Sequence, residues 1–326
     1  MVRRPYILDG KIVNTGVSIG VAMAPQDGSD AATLMKNADL ALYRAKADGR
    51  SAARFFEPGM DMQMQIRRTL ELELRRALLH DEFEVFYQPF FDVRTQHVIG
   101  FEALVRWRHP ERGIVPPGNF IPLAEETGLI VQIGTFVLNT AVQQAAAWGQ
   151  GITMAVNLSA AQIATGNLVE VVGSALAASG LPAHRLELEI TESMLLDEGA
   201  RTLAILHALR AMGVRISMDD FGTGYSSLRY LRAFPFDKIK IDRSFVQEMM
   251  ANKECAAIVW AIIGLAHRLG ITTTAEGVET AQQMTRLQDE GCDVAQGYLL
   301  SKPVPAGEAA GFLTTPVLAS PVAEAA

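Results

Sequence analysis

The sequence predicts an α/β protein built on a modified (β/α)8 TIM-type barrel with an antiparallel first strand, preceded by a partial α+β fragment. Three observations carry that expectation. Short apolar-alternating segments interleave with helix-length amphipathic ones over about 250 residues, the length of one such barrel. The first two of these strands are separated by only about seven residues around Arg94, too few for a crossover, so they should run antiparallel. Finally, segments of this kind end in a carboxylate, an amide or a lysine at Glu102, Asn157, Glu189, Asp219–Asp220, Lys240 and Glu276.

Taken in order, residues 11–23 alternate like a strand with glycine breaks. Pro25 to Gly28 form a turn. Asp30 is placed to cap a helix running to about Lys46, with Leu34, Ala38 and Leu42 on one stripe and Gly49 as its stop. Residues 53–56 are a second short strand, ended by Pro58-Gly59. This opening piece, residues 1–57, has too few elements to bury its own strand and helix well, and it reads as the tail of a domain whose front is absent. Residues 61–80 form an amphipathic helix in which Met62, Ile66, Leu70, Leu74 and Leu78 recur every four residues and Glu71 faces Arg75. The barrel is assigned to residues 58–313. Its strands are expected near 83–89, 97–106, 152–157, 185–190, 214–219, 237–242, 271–276 and 294–297. Its helices are expected near 119–126, 132–149, 167–179, 197–212, 252–269, 280–290 and 305–313. The Ala/Pro-rich end, residues 314–326, is expected to be a disordered tail.

The bulk composition narrows the function. Of 326 residues, 49% are hydrophobic, enough for a sizeable core and too many for wholesale disorder. The net charge of −7 argues against a broad basic surface, so no long nucleic acid is expected as a partner. A small phosphate ligand stays open, because metals can supply positive charge locally. Cys255 and Cys292 lack any metal-like or disulfide-framework spacing and read as ordinary cytosolic thiols. The most apolar helical run, residues 255–266, is shorter than the roughly 20 residues a bilayer demands. The two arginines near the start are followed by no apolar segment. No transmembrane segment and a cytoplasmic location are therefore expected.

Side chains on a strand alternate faces. Leu186, Leu188 and Ile190 oppose Glu187 and Glu189; Ile216 and Met218 oppose Ser217 and Asp219; Ile239 and Ile241 oppose Lys238, Lys240 and Asp242. Barrel helices need an apolar outer face, so the polar set points inward, and it gathers at strand ends where the C-terminal rim would lie. Carboxylates crowded at one rim are costly unless cations sit among them, which makes a divalent-metal site the leading reading. Each residue also has a plainer explanation. Glu102 could be solvated, Asn157 could cap the turn into Ser159, Lys240 could pair with Asp242 or another carboxylate, and Asp219-Asp220 could be turn chemistry. Those explanations do not account for inward charges on five strands at the same end.

Phe101-Glu102-Ala103-Leu104-Val105-Arg106-Trp107 resembles the signature of the EAL family of cyclic-di-GMP phosphodiesterases. Tyr87-Gln88-Pro89, Asn157-Leu158-Ser159, Glu189-Ile190-Thr191-Glu192 and Asp219 to Leu228 resemble further blocks of that family. So do Lys238-Ile239-Lys240-Ile241-Asp242, Ala275-Glu276-Gly277-Val278-Glu279 and Gln296 to Pro303. The resemblance spans about residues 62–313. It implies a barrel with an antiparallel first pairing and hydrolysis of cyclic di-GMP to linear pGpG, with two ions of Mg2+ or Mn2+ as cofactors. Glu102, Asn157, Glu189 and Asp219 resemble the ligands of one metal, with Asp219 bridging to a second held by Asp220 and water. Lys240 resembles the residue that orients the attacking water, and Glu276 the general base or an additional ligand. Gln88, Arg106 and Gln296 resemble substrate contacts, and Glu192 and Glu279 supports of the loop after Asp220. Family members often dimerise near that loop, so a homodimer through it is expected as well. The opening piece, with Val17 to Ala22, Ala38 to Lys46 and Gly49-Arg50, resembles the C-terminal part of a GGDEF diguanylate cyclase domain. The signature loop of that domain and the metal aspartates before it are absent, so cyclase activity is not expected. Two other classes stay open on sequence alone: a receptor that binds the dinucleotide without cutting it, and an interaction scaffold.

Overall fold

A strand that carries charge on one face is buried only if its other face is covered by apolar side chains, and that division organises the larger part of this chain. The computed structural model describes residues 6–8, 11–13, 15–47, 51–149, 151–197, 199–222, 231–232 and 234–313. The chain splits into two units, Met1–Leu74 and Arg75–Ala326.

In the first unit, β1 (Tyr6–Leu8) and β2 (Lys11–Val13) form an antiparallel ribbon. β3 (Ile19–Val21) pairs in parallel with β4 (Ala53–Phe55). The single strand expected over 11–23 is therefore two strands with different partners, interrupted around Gly16, where a glycine weakens a strand interior. α1 (Ala31–Ala47) begins as anticipated: the Asp30 carboxylate accepts from the Thr33 amide at 2.9 Å and the Thr33 hydroxyl at 2.7 Å. The helix lies so close to β3 that a Cβ on Gly20 would come within 2.0 Å of the Ala38 carbonyl oxygen. Its deepest residues are Leu40, Ala41 and Ala45; the expected stripe of Leu34, Ala38 and Leu42 is only half-buried. Leu40, Ala41 and Met60 form a small core with Phe56 and Met64 against it.

α2 (Met60–Leu79) crosses the division between the units. Leu74 is fully buried, but Met62 and Ile66, expected on the same stripe, are exposed. A repeat of four residues overshoots the helical turn by ~40° per step, so a stripe started at Met62 has swung to another side of the helix before Leu74 and Leu78.

The second unit is the barrel. Its strands are β5 (Phe83–Asp92), β6 (Val98–His109), β7 (Gly113–Val115), β8 (Thr153–Asn157), β9 (Leu186–Thr191), β10 (Arg215–Phe221), β11 (Lys238–Ile241), β12 (Thr272–Ala275), β13 (Val294–Ala295) and β14 (Val304–Pro305). Eight of them close a ring in the order β5, β6, β8, β9, β10, β11, β12, β13 and back to β5. β5 is antiparallel to both its neighbours, and every other pairing around the ring is parallel. The short β5–β6 connection forces this exception, as the spacer length predicts. β7 and β14, not anticipated from sequence, extend β6 and β5 outside the ring.

The helices are α3 (Ile121–Thr127), α4 (Ile130–Ala147), α5 (Ala160–Ala164), α6 (Leu168–Ser179), α7 (Met194–Asp197), α8 (Gly199–Ala211), α9 (Arg243–Glu248), α10 (Lys253–Leu269), α11 (Ala281–Asp289) and α12 (Ala306–Ala309). The helix expected over 197–212 is the pair α7 and α8, and α5 and α9 were not foreseen. No single described helix is long and apolar enough to cross a membrane.

Met154, Leu186, Leu188, Ile190, Ile216, Met218, Ile239 and Ile241 are all fully buried on the outward faces of the strands. Each such side chain stabilises the fold by about 1.5–3 kcal/mol relative to exposure. That apolar shell lets the inward faces carry Glu187, Glu189, Ser217, Asp219, Lys238 and Lys240, also buried. Phe90, for which the sequence offers core packing as the reason, packs in the core with Ala155, Val294 and Ile99. A Cβ on Gly100 would lie 2.2 Å from the Phe90 ring, so that glycine makes room for it.

Candidate metal centre

Lys240, on β11, is the hub of the C-terminal mouth. Its Nζ lies 2.6 Å from Glu276 Oε1, 2.7 Å from Glu189 Oε2, 3.1 Å from Asp219 Oδ1 and 3.7 Å from Glu102 Oε2. Four carboxylates from different strands thus converge on one ammonium: Glu189 and Asp219 near the ends of β9 and β10, Glu276 just after β12, and Glu102 inside β6, which continues to His109 instead of ending at that acid. Asp242, the partner left open by the sequence, is occupied elsewhere. Its carboxylate caps α9, accepting from the Ser244 amide at 3.0 Å and from the Ser244 hydroxyl.

Asp219 and Asp220 are neighbours in the chain, and in a regular strand they would face opposite sides. The structure solves this with a β-bulge. Met218 pairs with Ile239 and Phe221 with Ile241, so β10 spends one more residue than β11 over the same step. Asp220 takes the left-handed conformation there, with φ 52°. Aspartate tolerates that conformation better than most residues, and bulges re-aim side chains beside functional sites. As a result, carboxylate oxygens of Asp219, Asp220 and Glu276 all lie within 4.8 Å of one another.

Asn157 ends β8 at the rim, where it is exposed. It does not cap the following helix. Ser159 does so, in a capping box with Gln162: the Ser159 hydroxyl accepts from the Gln162 amide and Gln162 Oε1 accepts from the Ser159 amide. Asn157 Nδ2 instead donates to Glu102 Oε1 at 2.7 Å, which leaves its amide oxygen as a donor atom for a cation. The Gln296 amide donates to the other oxygen of Glu102, also at 2.7 Å.

The electrostatics follow from this crowding. Burial opposes charge on Lys240, but Asp219, Glu102, Glu189 and Glu276 outweigh it and hold its pKa well above the usual lysine value. Burial pushes Glu102 up, yet Lys240 and the amides of Gln296 and Asn157 prevail and bring it below the usual carboxylate value. Glu189 is driven well above the ordinary value by burial, with Glu102 and Asp219 adding to Lys240's incomplete relief. Glu276 is pushed up to about 8, first by burial and then by Asp219 and Glu102 against the pull of Lys240. Asp220 rises to about 6 through burial and the charges of Asp219 and Asp242. One ammonium is therefore too little positive charge for the carboxylates gathered around it.

Two cavities open beside this cluster. One, of about 240 Å3, is lined by Gln88, Glu102, Lys240, Glu276, Gln296 and Tyr298 among others. The other, of about 350 Å3, reaches Asn157, Asp219 and Asp220 between apolar walls that include Ile121 and Ile133. Gln88 is buried and donates to the Ser301 carbonyl at 3.1 Å. Arg106, half-buried, donates to the Val105 carbonyl at 2.8 Å and lies over the Phe86 ring. It does not line either cavity. Glu279 lines the smaller one, accepting from Gln247 at 2.9 Å. Glu192 is buried. The segment that Glu192 and Glu279 were expected to support, 223–230, lies outside the described residues, as does the tail 314–326. Arg243 and Gln247 also line the smaller cavity and were not singled out from sequence. Arg243 directly follows Lys240-Ile241-Asp242, and its position beside a functional strand end was the signal. It is packed so closely that a Cβ on Gly277 would fall 2.6 Å from its own Cβ.

Comparison with known proteins agrees with this architecture. Residues 71–303 match the family described as EAL domain, and residues 1–52 match the one described as diguanylate cyclase, GGDEF domain. An uncharacterized signaling protein of Caulobacter vibrioides is 48% identical over 305 residues, 94% of this chain and 38% of that protein. MucR of Pseudomonas aeruginosa, a bifunctional diguanylate cyclase/cyclic di-GMP phosphodiesterase, is 45% identical over 309 residues, 94% of this chain and 45% of that protein. The structure of the PaMucR phosphodiesterase in a c-di-GMP complex superposes with a TM-score of 0.72 at 46% identity, covering 74% of this chain and 99% of that one. The chain spans less than half the length of these curated relatives.

Proposed function

The chain belongs to the EAL domain family, and from that premise we propose that it hydrolyses cyclic di-GMP to linear pGpG with two divalent cations, Mg2+ or Mn2+, at the C-terminal mouth of the barrel. The observation that carries the proposal is the convergence of four carboxylates on Lys240 with a fifth, Asp220, turned in by the bulge. Five carboxylates against one ammonium leave four negative charges, which two divalent cations would cancel. MucR and the other named phosphodiesterase relatives support the choice of substrate.

The residues present fit such ions. Asp219 Oδ1 is buried and makes no hydrogen bond among the described residues, although Lys240 is near. The donor set of carboxylates and one amide oxygen is hard, as Mg2+ and Mn2+ prefer. Glu102, Asn157, Glu189 and Asp219 would hold one ion, and Asp219 with Asp220 the other. When bound, such cations lower the pKa of water and offset charge on a phosphodiester. Lys240, kept protonated by its neighbours, supplies a fixed positive charge beside the reacting phosphate and orients the attacking water. Glu276, 2.6 Å from Lys240 and with a carboxylate oxygen within 4.8 Å of those of Asp219 and Asp220, is placed to take the proton that the water gives up. Gln296 and Asn157 hold Glu102 in place from both of its oxygens. Gln88, Arg106 and Gln296 are assigned to the substrate, and Glu192 and Glu279 to support of the segment after Asp220. A homodimer through that segment completes the reading, and sedimentation equilibrium of the chain tests it.

The activity is tested by incubating the purified chain with cyclic di-GMP and Mn2+. The expected outcome is pGpG formed far above a Glu102→Ala control. Product no greater than in that control would overturn the proposal.

A further inference from the structure

The opposite, N-terminal mouth of the barrel holds a third cavity, of about 510 Å3, that the hydrolytic reading leaves without a role. Its lining includes Phe90, Thr153, Glu187, Arg215, Asp237 and Lys238. Three of these charged residues are already matched. Lys238 Nζ lies 2.7 Å from Glu187 Oε1, both side chains nearly or wholly buried, and 4.4 Å from the centre of the Phe90 ring. Asp237 is 3.3 Å from Arg210 and accepts from the Ile216 amide at 2.9 Å. Arg215 is different. It is exposed at the start of β10, where its backbone pairs opposite Glu187 of β9, and its guanidinium has no hydrogen-bond or ion-pair partner among the described residues. The mouth therefore carries, beside the matched charges of Glu187, Lys238 and Asp237, one guanidinium without an ion-pair partner in a concave setting that an anion can enter. The Lys238 ammonium has three protons, and Glu187 takes one of them.

We propose that this mouth binds a phosphate or phosphate monoester, its oxyanion held between the Arg215 guanidinium and the Lys238 ammonium. A guanidinium presents paired donors in the fork geometry that phosphate oxygens match, and the ammonium adds a compact point charge. The cavity is larger than one phosphate needs, so a sugar-sized body on the ester fits the same space. The proposal stands on residues at the far end of the barrel from the carboxylate cluster and does not depend on the chemistry there.

The test follows the amide signals of the 15N-labelled full chain during titration with inorganic phosphate and, separately, ribose 5-phosphate. The expected result is saturable movement of Thr153, Arg215 and Thr272 with at least one of the two, while Gly277 and Gly297 at the other mouth stay still. Saturation by phosphate alone identifies the free ion as the ligand, and tighter saturation by the sugar phosphate identifies a monoester. Arg215→Glu should weaken the response by about tenfold or more, with an unchanged melting temperature, and Arg215→Lys should retain most of it. No saturable movement with either compound, or the same movement in Arg215→Glu, would overturn the proposal.

Discussion

Two lysines stand two residues apart on β11, both pointing into the barrel, and they live in opposite electrostatic worlds. Lys238 meets one glutamate, Glu187, at 2.7 Å, and the two charges cancel. Lys240 meets four carboxylates within 4.0 Å and cancels only one of them. The strand is the same, and so is the side chain. What differs is how many neighbouring strands carry an acid at that level. A balanced buried pair can be exchanged for apolar residues with little loss, whereas the acids of an unbalanced cluster are pushed up toward protonation unless a further cation joins them. The Lys238–Glu187 pair is thus balanced within the protein, whereas the cluster around Lys240 is not.

Substitution can break this contrast from either side. The largest effect is expected from Asp219→Asn, which removes one charge from the position shared by both proposed ions. Steady-state turnover of cyclic di-GMP should fall by several orders of magnitude while the melting temperature in the absence of metal holds or rises. A near-wild-type rate would remove Asp219 from its bridging place. Glu276→Gln comes next. It should lower kcat by about 10²–10⁴-fold with a much smaller change in substrate affinity, as loss of a proton acceptor does. An equal loss of binding would instead make Glu276 a ligand or a packing residue.

In the lower layer the sign of the effect reverses. Lys238→Met leaves Glu187 buried and unpaired and should cost about 3–5 kcal/mol of stability in chemical denaturation, with turnover of the folded enzyme within a few-fold of wild type. Chelation by EDTA should abolish turnover. At ion concentrations about a hundredfold above the dissociation constant, it should also remove about 3 kcal/mol of stability from wild type and Lys238→Met alike, because both keep the upper cluster. The smallest change is expected from the pair Glu187→Leu with Lys238→Met, whose stability should return to within about 1 kcal/mol of wild type. If the double variant stays as unstable as Lys238→Met, Lys238 and Glu187 are not the balanced pair that the geometry describes.

Much of this was legible beforehand, and the reasons are physical. Strand alternation alone placed Glu189, Asp219 and Lys240 on the inward face, because an apolar partner face leaves no other choice. The short link around Arg94 fixed the antiparallel β5. The bulge at Asp219–Asp220 was not legible: two adjacent acids look the same in a regular strand, and only the register against β11 reveals the extra residue. Asn157 was ambiguous because Ser159 and Gln162 lie just beyond it, and only the capping box shows which residue serves the helix. The stripe on α2 misled because an exact four-residue repeat drifts around a helix, so that Met62 and Leu74 do not share a face. α5 and α9 are about one turn long, too short to impose a period on the sequence.

The central claim is that the upper mouth is completed by divalent cations. Crystals grown with manganese and measured at its absorption edge test it most directly. The expected result is a pair of anomalous peaks among Glu102, Asn157, Glu189, Asp219 and Asp220. A difference map with no peak at that mouth, and Lys240 still the sole positive charge among the acids, would contradict it.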